Sequence, residues 1–315
     1  MTAEPATPGY YRYPVIRRPV WTWEVPAYFW LGGMAGGAFL TASLGQRLGS
    51  PDDRRYTADG FYLAGAAILP CAPLLIADLG RPERFHHMLR VFKPLSPMNL
   101  GAWTLTAFAP LAVGRAATQA AHTGLLRGPL AALARLLPTS VVELTGTLSG
   151  MVLAGYTGVL LAATNVPLWA KSKLLGGVFM ASAMSSGSAA VALVAARRGA
   201  PDATLHRLAR IESAASLGEV AMLTGYLGQS GRTAHPLTRG RFAMPFWVGA
   251  VGAGMLLPLL LHRFAGRHRG GTLRSLSGAA AVCSLAGSLA LRWSIFEAGK
   301  VSSEDQAASF ELSSD

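Results

Sequence analysis

The chain reads as an all-α, polytopic membrane protein with eight transmembrane helices. Three observations predict this. Its 315 residues are 51% hydrophobic and only 14% charged, where a soluble domain carries about a quarter charged residues. Mean hydropathy is +0.35. The apolar residues gather into runs of roughly 20, enough to cross a bilayer at about 1.5 Å rise per residue, and the charges fall in the connections. Open strands cannot satisfy their backbone in hydrocarbon, so the runs are helices.

Residues 1–24 form a polar, Pro-rich arm with Tyr10, Tyr11, Tyr13, Trp21 and Trp23. Such aromatics favour the headgroup region. The arm lacks an apolar stretch ending in a small-residue cleavage site, so no cleaved signal peptide is expected. The first span, 26–46, carries Gly32, Gly33, Gly36 and Gly37. Their spacing puts small residues on one face and lets another helix approach closely. Glycine also suits a flat ligand lying against backbone.

The second span is 58–77 and the third 99–118. The stretch between them, IADLGRPERFHHMLRVFKPLSPMNLGAWT, places Asp78 close to Arg81 and Arg84 after an uncharged run. A carboxylate there is costly unless paired or wet, which predicts a neutralised cluster at the membrane boundary. Residues 119–139, with Arg127, Arg135 and Pro138, read as a loop holding a surface helix. The fourth span is 144–166, and the fifth, 173–196, is rich in Gly, Ala and Ser. Basic residues 197–212 lead to the sixth span, 213–230, then 244–262 and 275–296. The membrane domain is therefore 25–298, followed by a polar tail, 299–315, with Glu304, Asp305, Glu311 and Asp315. An even count puts both termini on one side. Lys and Arg are nearly balanced between the two sides, so the positive-inside rule gives no orientation.

The net charge of +12 is spread over the connections, where basic residues meet anionic lipid heads. No basic stripe has aromatic interleaving, so nucleic acid is not the expected partner. Cys71 and Cys283 both lie in apolar runs with no Cys/His cluster. This predicts packed thiols and no iron–sulfur cluster or zinc held by this chain. The seven histidines lie in connections or at span ends. A membrane cytochrome needs axial histidines within its helices, so no haem is expected.

The ionisable groups in or near spans are Asp78, Glu143, Glu212, Glu219 and Arg292. An acid inside a bundle points to proton handling or partner pairing. Glu219 is the deepest, and Glu143 and Glu212 begin spans from the opposite side. Asp78 reads as structural, and Arg292 as snorkelling to the interface. Tyr156, in LAGYTGVLL, can donate a hydrogen bond to a quinone carbonyl or simply pack. Trp103 and Trp169 read as interface anchors.

DLGRPERFHHMLRVFKPLSPMNLGAW resembles the signature segment of the NrfD/PsrC family, the membrane subunits of polysulfide-reductase-type complexes. GGMAGGAFL, GYTGVLLAATNVPLW and ALRWSIFEAG agree with it in order, so the similarity covers about residues 23–300. The resemblance implies eight helices in two four-helix groups, no haem, and a quinone, menaquinone or ubiquinone, bound near one face. There a four-cluster iron–sulfur ferredoxin-like subunit docks and passes electrons to or from a molybdopterin-type catalytic subunit. It places Tyr156 at the quinone headgroup, with Asp78, Arg81 and Pro82 in the motif. Where the polysulfide reductase subunit has a polar Asn and His, this chain has Val25 and Tyr28. Tyr28 can replace a hydrogen bond but not a titrating imidazole. Glu143, Glu212 and Glu219 then offer a proton route between faces. Two other readings stay open: a secondary transporter or ion channel built on Gly-interrupted spans and buried acids, and a membrane scaffold without quinone chemistry.

Overall fold

The computed structural model describes residue 16 and residues 18–305. Tyr10, Tyr11, Tyr13, Glu311 and Asp315 lie outside the described residues. Within them the fold is entirely helical, with no strand. The main helices are α1 (Glu24–Leu48), α2 (Pro51–Ala77, in three consecutive pieces), α3 (Pro97–Thr123) and α4 (Thr139–Ala162). They continue as α5 (Leu175–Arg197), α6 (Asp202–Ser230), α7 (Pro245–Ala265) and α8 (Gly270–Ser302). Among the described residues, five of these, α2, α4, α5, α7 and α8, are long and apolar enough to cross a membrane.

Local chemistry sets the ends. Ser50 and Asp53 form a reciprocal capping box with Pro51 at the first helical position, so only Gly49 and Ser50 separate α1 from α2. The expected surface helix of 119–139 is Pro129–Arg135. The first twelve residues of α7, Pro245–Leu256, are wound as a π-helix before the α-helix resumes. Its lipid side carries Val248, Leu256, Leu260 and Phe264, all exposed. In hydrocarbon such a face lies in its own solvent and needs no cover.

α1 packs on α2 and α4, and α3 packs on the same pair; α5 packs on α6 and α8, and α8 on α7. α1 and α5 join the two sets. The join needs glycine. A Cβ on Gly37 would overlap the Ala183 carbonyl of α5, and one on Gly187 would overlap the Gly37 backbone. Gly36 meets the Gly150 carbonyl of α4 in the same way. Gly33 and Gly37 thus lie on the seam between the two halves, while Gly32 and Gly36 face α2 and α4 within the first half.

Two expectations are corrected. Trp169 is fully buried rather than an interface anchor. Its indole stacks on Trp21 and Phe296, with centroids 6.0 and 5.8 Å away, and its Nε1 donates to the Ile295 carbonyl at 2.9 Å. Arg292 does not snorkel. It is 0% exposed, donates to Ser182 Oγ at 2.8 Å and to the Phe179 carbonyl at 3.3 Å, and lies in the field of Glu219. A guanidinium ten residues from the end of its helix is too deep to reach water while polar partners stand beside it.

Candidate functional site

Alternating helix directions bring the start of α1, the end of α2, the start of α3 and the end of α4 to one face. There they enclose a cavity of about 210 Å³. Its walls are mostly apolar, and Tyr28, Tyr156, Asp78 and Trp21 are the residues that give it character.

Tyr156 lies on α4, and its hydroxyl donates to the Pro97 carbonyl at 2.8 Å. The ring lies across the first turn of α3, where it occupies the space a Cβ on Gly101 would need. Gly101 therefore sets the ring's position, and the helix start uses the hydroxyl proton. Tyr28, one turn into α1, is buried at 1% exposure. Its hydroxyl has no hydrogen-bond partner among the described residues. The cavity thus carries one committed phenol and one free one.

Asp78 follows α2 and faces inward along the rim. It accepts hydrogen bonds from the Thr22 backbone N–H at 2.9 Å and from Thr22 Oγ1 at 3.0 Å. The predicted neutralised cluster is therefore corrected: the carboxylate's partners are N–H and O–H groups 56 positions away, not Arg81 or Arg84. Arg81 is exposed and does not line the cavity. By holding Thr22, Asp78 fixes a strap, residues 21–23, over the opening. Trp21, on that strap, lines the cavity and also closes the aromatic stack with Trp169 and Phe296.

Asn99 is a residue that sequence reasoning missed. Its Oδ1 accepts from the Lys93 N–H at 2.6 Å, and its Nδ2 donates to the Met88 and Val91 carbonyls at 2.7 and 3.0 Å. It ties down the loop that supplies Phe85, Met88 and Leu89 to the wall. A single Asn just inside the Pro-initiated α3 was the available signal.

The predicted acids separate into two places. Glu143 on α4 pairs with Arg115 on α3 at 3.3 Å, both buried, and the guanidinium lies 3.9 Å over the Phe61 ring. Glu212, Ser216 and Glu219 share one face of α6 and look into the other half. Ser284 donates to Glu212 at 2.6 Å. His262 Nε2 lies 3.1 Å from the second Glu212 oxygen, without hydrogen-bond alignment. Ser216 meets Ser185 at 3.1 Å, and Glu219 is held between Ser182 and Arg292. His262, buried near the end of α7, is the second residue missed. Among the described residues, no three His, Cys, Asp or Glu side chains gather as a metal site.

Spanning-length apolar helices around a cavity lined by aromatic hydroxyls define the class: a multi-pass integral membrane protein. The chain belongs to the polysulphide reductase, NrfD family, whose model matches residues 14–303, and as such is a membrane subunit of a redox complex. Its relatives include a polysulfide reductase subunit of Wolinella succinogenes, 28% identical over 89% of this chain and 94% of that one. Protein NrfD of Escherichia coli is 28% identical over 90% of this chain and 95% of its own length. A protein NrfD homolog of Haemophilus influenzae is 24% identical over 78% and 84%.

Proposed function

We propose that the chain is the quinone-reactive anchor of an electron-transfer complex, with eight transmembrane helices in two groups of four, α1–α4 and α5–α8. The observation that carries this reading is the Tyr28 hydroxyl, buried and unpartnered against an apolar cavity. Leaving such a group unsatisfied costs about 1–3 kcal/mol, and a ligand carbonyl would restore the lost bond. The residues fit a quinone ring, menaquinone or ubiquinone, which supplies electron and proton exchange when bound.

The chain's own groups bind and orient. Tyr28 donates to the ligand oxygen. Tyr156, committed to Pro97, is the fixed wall against which the ring lies. Trp21 excludes water from above, and Asp78 holds that cover shut through Thr22. Arg81 belongs to the exposed rim, where a four-cluster iron–sulfur ferredoxin-like subunit docks and links the site to a molybdopterin-type catalytic subunit. Glu212 and Glu219 on their shared face of α6 exchange protons with the opposite surface, and Glu143 stands apart on the Arg115 side.

The test uses the purified complex. Inhibitor-sensitive quinol turnover is expected, and Tyr28→Phe should lower it about five- to ten-fold, the worth of one hydrogen bond. Turnover that is absent, or indifferent to a headgroup inhibitor, would favour the scaffold. Glu219→Gln should depress quinol turnover and proton uptake together; finding both unchanged removes the proton role.

A further inference from the structure

A second concavity lies at the opposite end of the molecule. It is a groove of about 570 Å³ between α5 and α8. Its walls are Leu193, Ala196, Gly278 and Val282, and Arg197 and Arg274 stand at its head. Val282 is 51% exposed, so the groove opens toward the bilayer rather than into the bundle. Gly278 keeps it open, since a Cβ there would touch only Leu193, at 3.8 Å.

The charge at its head is not neutralised from within. Asp59 is paired with Arg198, and Asp202 accepts from the Gly270 N–H at 3.1 Å. Arg197 is exposed and has no ion-pair partner among the described residues. Arg274 spends one N–H on the Gly199 carbonyl at a long 3.4 Å, and its buried Nε has no partner among them. Arg197 therefore stands without an ion-pair partner among the described residues above an apolar slot, and Arg274, held only by the long bond to Gly199, keeps N–H donors to spare beside it. From Arg274 to Cys283, at the far end of the slot, α8 descends roughly 13 Å, within the depth of one leaflet, about 15 Å.

We propose that this groove binds an anionic phospholipid, its phosphate between Arg197 and Arg274 and one acyl tail along Leu193, Gly278 and Val282. Guanidinium groups suit phosphate oxygens through paired N–H donors, and basic pockets between spans at a membrane face suit anionic heads. The site is independent of the quinone reading.

The test takes the full-length protein in detergent and titrates phosphatidylglycerol and phosphatidylcholine by native mass spectrometry. Preferential retention of phosphatidylglycerol is expected. Arg197→Gln with Arg274→Gln should weaken it about thirty-fold, two surface charges' worth. Gly278→Leu, which keeps both arginines and fills the slot, should weaken it as well. Cys283 gives a readout on the unaltered protein: maleimide labelling in nanodiscs should be slower with phosphatidylglycerol than with phosphatidylcholine. Equal retention of the two lipids, equal labelling rates, binding indifferent to both variants, or protection of Cys283 by inorganic phosphate alone would each overturn the proposal.

Discussion

The cavity in α1–α4 and the charged cluster in α5–α8 bury polar groups in different ways. In α1–α4 the polar residues of the cavity surround empty space, and one hydroxyl, on Tyr28, is left with nothing to bond among the described residues. In α5–α8 the buried charges press against each other and against serines, and they are packed in. Arg292 has Ser182, the Phe179 carbonyl and Glu219; Glu212 has Ser284 and His262. Desolvation makes both arrangements costly. The second is offset in part within the chain: the second Glu212 oxygen, both His262 ring nitrogens and Arg292 Nε still have no hydrogen-bond partner among the described residues. The first has an unbonded hydroxyl on a residue that lines a cavity, where a ligand could reach it. Unpaired polar atoms occur in both halves, so what marks the ligand site is a cavity lined by such a residue.

Breaking the charged half should have the largest effect. Arg292→Ala leaves Glu219 buried without its cation and should destabilise the protein by about 3–5 kcal/mol, measured as a fall in the unfolding midpoint in detergent. A midpoint within error of the wild type would mean that Glu219 does not depend on Arg292. Releasing the strap comes next. Asp78→Ala removes an anionic acceptor of two hydrogen bonds, worth about 1.5–3 kcal/mol each to a charged group when buried and less at this rim. The expected result is faster protease cleavage near Trp21 and weaker quinol binding with little change in the rest of the fold. The smallest effects separate the two phenols. Tyr156→Phe loses the bond to Pro97 and should cost about 1 kcal/mol of stability. Tyr28→Phe should cost nothing or slightly stabilise, because no bond is lost, while still lowering turnover. Equal losses of stability for the two would erase the distinction between a wall and a contact.

Much of the fold was legible in the sequence because hydrophobic runs of spanning length constrain it strongly. The predicted segments fall largely on helices, of which five among the described residues are long and apolar enough to cross a membrane, and Gly33 and Gly37 mark the seam. The site was legible only in its pieces. Tyr28, Tyr156 and Asp78 were singled out, and the folded chain brings all three to one cavity. Their bonding was not legible, because it joins residues far apart in sequence. Arg81 lies three positions from Asp78, but Thr22, 56 positions away, is its partner. Trp169 read as an anchor because Trp21 and Phe296, near opposite ends of the sequence, are what cover it. Arg292 read as snorkelling because Ser182, 110 positions earlier, carries no mark of its destination. That the Tyr28 hydroxyl would be free, and the Tyr156 one taken, depends on the Pro97 carbonyl, which no side-chain pattern encodes.

The glycine contact between α1 and α5 has a consequence for how the protein is made. Gly187 leaves the ribosome about 150 residues after Gly37, which at about 5–20 residues per second is roughly 8–30 s. On the proposed eight-span reading, α1 waits in the bilayer for that interval with its most closely packing face covered by lipid or by the insertion machinery. A bulkier residue at position 37 would therefore act late in biogenesis. Pulse-chase protease protection should find the first four helices inserted on time and the nascent subunit failing only when α5 arrives to close on them.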